Sequence, residues 1–416
     1  MAEFKPVSGL RYNTKLVGEL DDVVAPPYDV INAREVADLQ AKSQFNVTHL
    51  TRPAGDDPYA AAANIFAEWK SQKALVTEDQ AVFYIYRQRF NDPETGEEYP
   101  ERVGVIGILK LEEYSTGKVL PHELTLSAAR ADRLNLYRKT LANFESIYGL
   151  YSDPDGVVDY VVNGPKYPRM VVGEIADSIG SSHTLETLTD PEAIDIISKY
   201  LEETPIFIAD GHHRYETSLG FSKERPDLPN AGYILITLTA LDDEGLLVLP
   251  THRLLSGFTD DEIVSLPSRL SQAGFTVAPN NQPDTDLAPL QFVLATRDGE
   301  LLFSLPNAGA AAKLVPNGQS AAWKSLDVSV VHTLVIGNLL NIPLEKLSTT
   351  EKVTYTRDAA EARAKVASGE VQAAIILGRP TVDQMKAVSE AGDKMPQKST
   401  FFYPKLLSGL VLYDLQ

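Results

Sequence analysis

The stretch PIFIADGHHRYETSLGF, residues 205–221, predicts a strand, a tight turn and a helix in direct succession. Its first half, PIFIA, is an apolar run of the length expected for a short buried strand. Gly211 then permits a tight turn, because glycine adopts backbone angles that other residues avoid. From His212 onward, Tyr215 and Leu219 fall on one face of a helix. The pattern therefore places a group of polar side chains between a buried strand and the start of a helix.

These polar residues have a chemistry that suits an anionic ligand. The first turn of a helix carries free backbone N–H groups and a partial positive charge, so it attracts phosphate or carboxylate. Arg214 can bind such a group through two nitrogens, and His212 and His213 can donate hydrogen bonds or transfer protons. The alternative is structural: Asp210 would cap the helix, and the histidines would be ordinary surface residues. We favour a functional site, because Gly211 and four charged or polar residues are concentrated in one turn.

Outward from this stretch, the chain alternates between strand and helix patterns. With 416 residues it is long enough for two domains, which we place at 1–255 and 256–416. Apolar periodicity predicts helices at 57–75, 191–203, 326–342, 358–368 and 381–391. It predicts strands at 81–90, 101–114, 231–241, 245–255, 352–356, 372–378 and 409–414. This alternation indicates an α/β fold, with α+β as the other possibility.

Composition excludes several classes of protein. Lysine and arginine number 38 against 57 aspartate and glutamate, which gives a formal charge of −19. So acidic a chain repels nucleic acid and anionic membranes, and we expect neither as a partner. The chain has no cysteine, no apolar run of membrane-spanning length and no signal-peptide pattern. We therefore expect a cytoplasmic protein that acts on a small molecule, with its oligomeric state left open.

Further candidates for the site lie far away in sequence. Asp29 follows the rigid Pro-Pro-Tyr turn and could act as a base or a metal ligand. Glu123, in a Pro-His-Glu loop, could orient or deprotonate a substrate hydroxyl. His252 and Arg253 follow a strand end and could complete a phosphate pocket. Each of these also has a purely structural reading, as a turn residue, an exposed loop pair or a strand end.

Other polar residues are better explained as structure. Asp132 and Arg133 are interpreted as an ion pair, and His332 as a buried histidine with a satisfied hydrogen bond. A second polar-basic cluster lies near the C-terminus and could reach the site from the second domain, but we interpret it as an exposed loop; its members are Lys398, Ser399, Thr400, Tyr403 and Lys405.

Several motifs together resemble a known family. APPYDVI (25–31), PHELT (121–125), IADGHHRYET (208–217), PTHRLL (250–255), LDVSVVH (326–332) and MPQKSTFFYPKLLSGL (395–410) look like the family catalogued as domain of unknown function 1015. The DGHHR box itself resembles that of the ParB/sulfiredoxin-like superfamily, which includes free-serine kinases. The resemblance implies that Asp210, Gly211, His212, His213 and Arg214 bind the phosphates of ADP or ATP. It also implies a catalytic carboxylate upstream of the box.

From these observations we predict a nucleotide-dependent kinase or phosphotransferase, with free L-serine as the acceptor that the resemblance suggests. Its catalytic residues would be Glu123, Asp29 and His213, and Mg²⁺ would accompany the nucleotide. A metal-dependent phosphatase or hydrolase that uses the histidines is the first alternative, although no HExxH spacing occurs. A nucleotide sensor without catalysis is the second. The sequence contains no GxxxxGK[ST] or GxGxxG motif to support a P-loop or Rossmann site.

Overall fold

The computed structural model describes residues 3–123, 127–315, 318–347 and 349–416. The chain forms two compact units. The first contains residues 3–121, 127–246 and 404–416, and the second contains residues 122–123 and the described part of 247–403. The chain thus returns to the first unit for its last 13 residues, Pro404–Gln416. Helices and several sheets are present, which confirms the predicted α/β class.

The first unit is built on a mixed nine-stranded sheet. The first twelve strands of the chain are β1 Phe4–Lys5, β2 Leu10–Tyr12, β3 Leu75–Thr77, β4 Phe83–Arg89, β5 Arg102–Lys110, β6 Val119–Pro121, β7 Ala142–Asn143, β8 Ile147–Tyr151, β9 Arg169–Ala176, β10 Ser182–Leu188, β11 Ile206–Asp210 and β12 Tyr233–Ala240. The sheet order is β6-β11-β8-β12-β5-β4-β10-β9, with β1 paired to β5. Strand β11 runs parallel to β6 and antiparallel to β8.

The helices of this unit bury apolar residues in two clusters. The helices are α1 Thr14–Val17, α2 Ala33–Lys42, α3 Thr48–Thr51, α4 Pro58–Ser71, α5 Ser127–Thr140, α6 Val157–Asn163, α7 Pro191–Glu203 and α8 His212–Glu224. One cluster joins α6 and α7 to the sheet through Val161, Ile197 and Ile236. The other contains Phe66 and Trp69 of α4. These apolar side chains drive the packing, because their burial removes them from water.

The second unit is organised around an antiparallel six-stranded sheet. The strands of this unit are β13 Leu247–Leu249, β14 His252–Leu255, β15 Thr276–Pro279, β16 Gln291–Thr296, β17 Gly299–Ser304, β18 Val353–Thr356, β19 Ala373–Leu377 and β20 Phe401–Tyr403. The sheet order is β15-β17-β16-β19-β14-β18, and β13 pairs separately with β20. Its helices are α9 Asp260–Gln272, α10 Ala308–Leu314, α11 Ala321–Lys324, α12 Asp327–Val330, α13 Ala359–Ser368 and α14 Val382–Glu390. A π-helix, Val331–Leu339, continues α12.

Most predicted elements are confirmed, and two strands are corrected. The segment 245–255 forms two strands, β13 and β14, because Pro250 between them has no N–H to donate to a ladder. The predicted strand at 409–414 is reduced to Tyr413–Asp414, which pairs with β7. Within the described ranges, no helix has the length and apolar character needed to cross a membrane.

Candidate functional site

The predicted strand–turn–helix around the DGHHR box is confirmed. Strand β11 ends at Asp210, Gly211 is the N-cap residue, and α8 begins at His212. Gly211 has a φ of 92°, in the left-handed region that favours glycine. A Cβ atom there would lie 2.7 Å from Cγ2 of Ile147. The turn therefore requires glycine for its backbone angle and for its close approach to the neighbouring strand.

Asp210 is held between two cations. Its Oδ1 accepts a hydrogen bond from Nζ of Lys405 at 3.1 Å, and its Oδ2 accepts one from Nη2 of Arg214 at 3.4 Å. Burial alone would raise the pKa of Asp210, but Lys405 and Arg214 outweigh it and lower the pKa to about 2. The carboxylate does not cap α8, so the alternative reading of Asp210 as a helix cap is wrong. It is a charged group at the end of the strand.

Arg214 is buried, with its side chain 5 % exposed. Besides Asp210, its guanidinium donates to the carbonyl of Ser146 at 2.9 Å, and Nη1 lies 3.9 Å from Oε2 of Glu145. Burial works against the charge, but Glu145 and Asp210 raise the pKa of Arg214 above its ordinary value. In the structure, Arg214 therefore holds the carboxylates of Asp210 and Glu145 in place. Direct phosphate binding by Arg214 stays a prediction.

Asp29 is exposed and lies close enough to Asp210 for the two charges to interact. Although the residue as a whole is exposed, partial loss of hydration at its carboxylate is the largest cause that raises its pKa, and the charge of Asp210 adds to it. Arg214 and Lys405 oppose both effects, but the net pKa shift of Asp29 is upward. Among the residues that the structure describes, Asp29 makes no hydrogen bond and no ion pair. It is therefore a carboxylate that can bind a ligand or accept a proton.

Contacts of Tyr28 with neighbouring side chains hold the turn that carries Asp29 in place. The N–H of Tyr28 donates to Oε1 of Glu145 at 3.1 Å, and its carbonyl accepts from Nη1 of Arg52 at 2.6 Å. The guanidinium of Arg133 lies over the Tyr28 ring, 4.1 Å from its centre. This cation–π contact and the two hydrogen bonds hold the backbone immediately before Asp29.

Glu145 links the turn that precedes Asp29 to the DGHHR box, a role that was not predicted from the sequence. Its side chain is 6 % exposed, and it accepts hydrogen bonds from the Tyr28 amide and from Oγ of Ser408 at 2.6 Å. Beside it lies a cavity of about 10 Å³, lined by Arg133 and Arg214 among others, with room for one water molecule. An acidic residue two positions before the apolar strand β8 was the sequence signal that could have revealed it.

The two histidines of the box differ in their surroundings. His212 is buried, with 4 % exposure, whereas His213 is partly exposed. Burial is the largest cause that lowers the pKa of His213, although Glu216 and Asp29 oppose it. His213 is therefore a neutral imidazole at pH 7, which can donate from one nitrogen and accept at the other.

Comparison with known proteins identifies the family. The sequence pattern of the family described as "protein of unknown function (DUF1015)" matches residues 4–329. The chain belongs to the DUF1015 family. The resemblance in its motifs is thereby confirmed, and the DGHHR box of this DUF1015 chain lies inside the matched range. No curated protein matches the chain.

Solved structures show distant similarity to this DUF1015 protein. A conserved hypothetical protein from Pyrococcus furiosus has 15% identity and a TM-score of 0.34, over 70% of this chain and 89% of that one. A free serine kinase in complex with AMP has 14% identity and a TM-score of 0.36, over 72% and 88%. SbnI with a C-terminal truncation, from Staphylococcus aureus, has 10% identity and a TM-score of 0.37, over 74% and 86%. Because these identities and TM-scores are low, we argue the function of this chain from its own residues alone.

Three predicted site residues of the DUF1015 chain lie in the second unit. Oε1 of Glu123 accepts a hydrogen bond from the amide of Lys398 at 3.2 Å, while Leu124 and Thr125 of the same motif lie outside the described residues. His252 and Arg253 are fully buried at the start of β14. Their predicted roles in catalysis and phosphate binding stay predictions.

Arg253 has an environment that differs from that of Arg214. Its guanidinium donates to Nε2 of His332 at 3.0 and 3.1 Å and to the carbonyl of Lys398 at 3.0 Å. Burial lowers the pKa of Arg253 to about 10, because these acceptors are neutral. The contact confirms that His332 is buried and hydrogen-bonded, as predicted.

The DUF1015 chain shows no cluster of three or more metal-ligating side chains in the part that the structure describes. The Asp132–Arg133 ion pair is confirmed, with Nη2 and Oδ2 2.5 Å apart. The interpretation of Lys405 as an exposed loop residue is wrong, because its side chain is only 15% exposed and forms an ion pair with Asp210.

Proposed function

We propose that this protein is a nucleotide-dependent phosphotransferase that phosphorylates the hydroxyl group of a small molecule. The reaction would take place at Asp29, Asp210, Arg214 and Lys405, which we call the carboxylate site. All four residues belong to the first compact unit.

The pairing of two unequal carboxylates carries the proposal. Asp210 stays ionised because Lys405 and Arg214 stabilise its charge, whereas Asp29 has a raised pKa and, among the described residues, neither a hydrogen bond nor an ion pair. Neighbouring acids whose pKa values are driven apart are typical of sites that assign one group to proton transfer. A raised pKa makes Asp29 the stronger base of the two, so we assign proton abstraction to it.

In the transfer step, the acceptor hydroxyl gives its proton to Asp29 as its oxygen attacks the terminal phosphorus of the nucleotide. A new oxygen–phosphorus bond forms, and the bond from that phosphorus to the bridging oxygen breaks. The bridging oxygen leaves with its electron pair on the shortened nucleotide. Catalysis of this kind depends mainly on positioning and on stabilising the phosphate charge.

Groups that can stabilise the phosphate charge surround Asp210. The N-terminus of α8 points its dipole at the turn, and its N-cap residue, Gly211, has no side chain to occupy the first amides. Lys405 adds a positive charge at the same place. This local arrangement counteracts the repulsion that a chain of charge −19 exerts on an anion.

The carboxylate site also fits the Mg²⁺ that usually accompanies a nucleotide. Mg²⁺ in proteins takes one or two carboxylates together with substrate phosphates and water, and does not need a full protein cage. Asp210 would hold it, which leaves Asp29 available as the base. When bound, the ion would neutralise charge on the phosphates. Within the described ranges, no cluster of three metal-ligating side chains supports the metal-dependent hydrolase as a second candidate.

The experiment is an acceptor screen. Purified protein with Mg²⁺ and ADP or ATP is mixed with serine, threonine, glycerate or inositol and followed by phosphorus NMR. Serine is tested first, because the DGHHR box resembles that of free-serine kinases. We expect a new phosphomonoester signal that disappears in Asp29→Asn and persists in Asp38→Asn, an exposed aspartate of α2.

Two results would count against the proposal. Nucleotide binding without transfer to any acceptor would favour the sensor alternative. No binding of ADP or ATP would reject the phosphotransferase altogether.

A further inference from the structure

A groove next to the carboxylate site has no role in the chemistry described so far. It lies between the β9–β10 hairpin on one side and the segment that precedes Asp29 on the other, within the first unit. Its volume is about 220 Å³. Its apolar lining includes Val24, Pro26, Leu39, Ile175, Ile179 and Leu407. We call it the hairpin groove.

A buried chain of hydrogen bonds ties two walls of the hairpin groove together. The amide of Leu407 donates to the hydroxyl of Tyr86 at 3.4 Å, and that hydroxyl lies 2.7 Å from Nδ1 of His183. Nε2 of His183 lies 3.0 Å from Oδ2 of Asp177, in the hairpin turn. In this order, the Tyr86 hydroxyl donates to Nδ1 of His183 and the N–H at Nε2 donates to Asp177, so each donor has an acceptor. Tyr86 and His183 are each 1 % exposed, so the chain is shielded from water.

The remaining walls are joined by backbone contacts. Ala25 and Ser408 form two amide–carbonyl hydrogen bonds, of 3.2 and 2.7 Å. The amide of Ala176 donates to Oδ1 of Asp21 at 3.2 Å. The hairpin, the N-terminal segment and the C-terminal segment therefore form one preorganised concave surface, which reduces the entropy lost when a ligand binds.

The hairpin groove and the carboxylate site share a residue. Lys405 lines the groove and also donates to Asp210. On the opposite wall, Pro26 precedes Asp29 by three residues. A ligand that fills the groove thus has its polar end beside an ammonium group and the two carboxylates.

We propose that the hairpin groove binds the heterocyclic base of the nucleotide, while the phosphates lie at Lys405 and the N-terminus of α8. This inference rests on the proposed function. The groove is smaller than the roughly 300–1,000 Å³ of sites that enclose a whole drug-sized ligand. It therefore suits one ring system, with the charged remainder of the ligand outside it. The lining also includes Asp21, Lys42, Asp177 and Ser178. Its apolar part matches a flat base, and Lys405, which also bonds to Asp210, matches the anionic tail that such a base carries.

The test compares ADP with diphosphate, which lacks the base, by isothermal titration calorimetry in the presence of Mg²⁺. Ala176→Phe places a large side chain in the groove from an exposed position on β9 and retains the backbone hydrogen bond. Met170→Phe is the matched control, on the same strand, exposed and outside the groove. We expect Ala176→Phe to lower the affinity for ADP at least about tenfold and to leave the affinity for diphosphate unchanged. The control should bind both as the wild type does.

A second variant tests the shielded hydrogen-bond chain. Tyr86→Phe keeps the ring but removes the hydroxyl between Leu407 and His183, so we expect weaker ADP binding with diphosphate affinity retained. Equal affinity of the wild type for ADP and diphosphate would overturn the inference, as would ADP binding that neither variant changes. Both of those results leave the proposed function standing. If neither compound binds the wild type, the proposed function fails first.

Discussion

Nζ of Lys405 lies 3.1 Å from Oδ1 of Asp210, although 195 residues separate the two along the chain. The contact exists because Pro404–Gln416 belongs to the first compact unit. Gln88 and Arg102 hold the start of this segment, by donating to the carbonyls of Lys405 and Pro404 respectively. A cation from this segment is thereby fixed beside the DGHHR box, where, together with Arg214, it lowers the pKa of Asp210.

The first prediction concerns acid stability. The pKa of Asp210 is lowered from 3.8 to about 2, so its ionised form stabilises the folded state. That contribution is complete above the unfolded pKa and is lost as the pH falls from about 4 to about 2; for this shift it amounts to at most about 2 kcal/mol. Urea unfolding should show Asp210→Asn less stable than the wild type at pH 6, with the difference shrinking towards pH 2. The free energy of unfolding of Asp38→Asn should follow that of the wild type at every pH. If the difference between Asp210→Asn and the wild type does not change with pH, the lowered pKa of Asp210 is refuted.

The second prediction separates stability from activity at Asp29. Its pKa is raised, so the folded protein disfavours its charge, and Asp29→Asn should not lower the melting temperature at pH 7. Loss of the base should reduce phosphoryl transfer by about 10²-fold or more. Calorimetric melting and phosphorus NMR measure the two effects. A lower melting temperature with unchanged transfer would instead make Asp29 a structural residue.

The third prediction concerns Arg214. Arg214→Ala removes the cation that forms the ion pair with the buried Glu145 and the donor to the carbonyl of Ser146, so we expect a loss of about 3–5 kcal/mol in the free energy of unfolding. Arg138→Ala is the control. It breaks an exposed surface ion pair with Glu224, and such pairs contribute little to stability. Similar losses in the two variants, measured by urea unfolding, would contradict a buried anchoring role.

The fourth prediction uses two glycines close together in the chain. Gly211→Ala would meet Ile147 at 2.7 Å and would need a φ of 92°, so it should destabilise the protein by more than about 1 kcal/mol. Gly220 lies within α8, and a Cβ there meets nothing within 4 Å. Gly220→Ala should therefore stabilise by about 0.5–1 kcal/mol. Thermal unfolding distinguishes them, and a stable Gly211→Ala would show that the turn does not need glycine.

Local patterns in the sequence predicted the elements that depend on neighbouring residues. The bounds of α7, the hairpin of β4 and β5 and the turn at Gly211 follow from apolar periodicity and from glycine geometry. Asn32 also begins α2 with a capping box that Glu35 completes. These features are encoded within a few residues of the place where they form.

The sequence by itself determined the α/β class, the DGHHR turn and its chemical character. Only the tertiary structure decided that Glu145 anchors both the turn before Asp29 and Arg214, and that Lys405 sets the charge of Asp210. Those contacts join residues more than sixty positions apart, and no local pattern encodes them. The pKa values of Asp29 and Asp210 differ for the same reason, since burial and nearby charges exist only once the distant segments have packed.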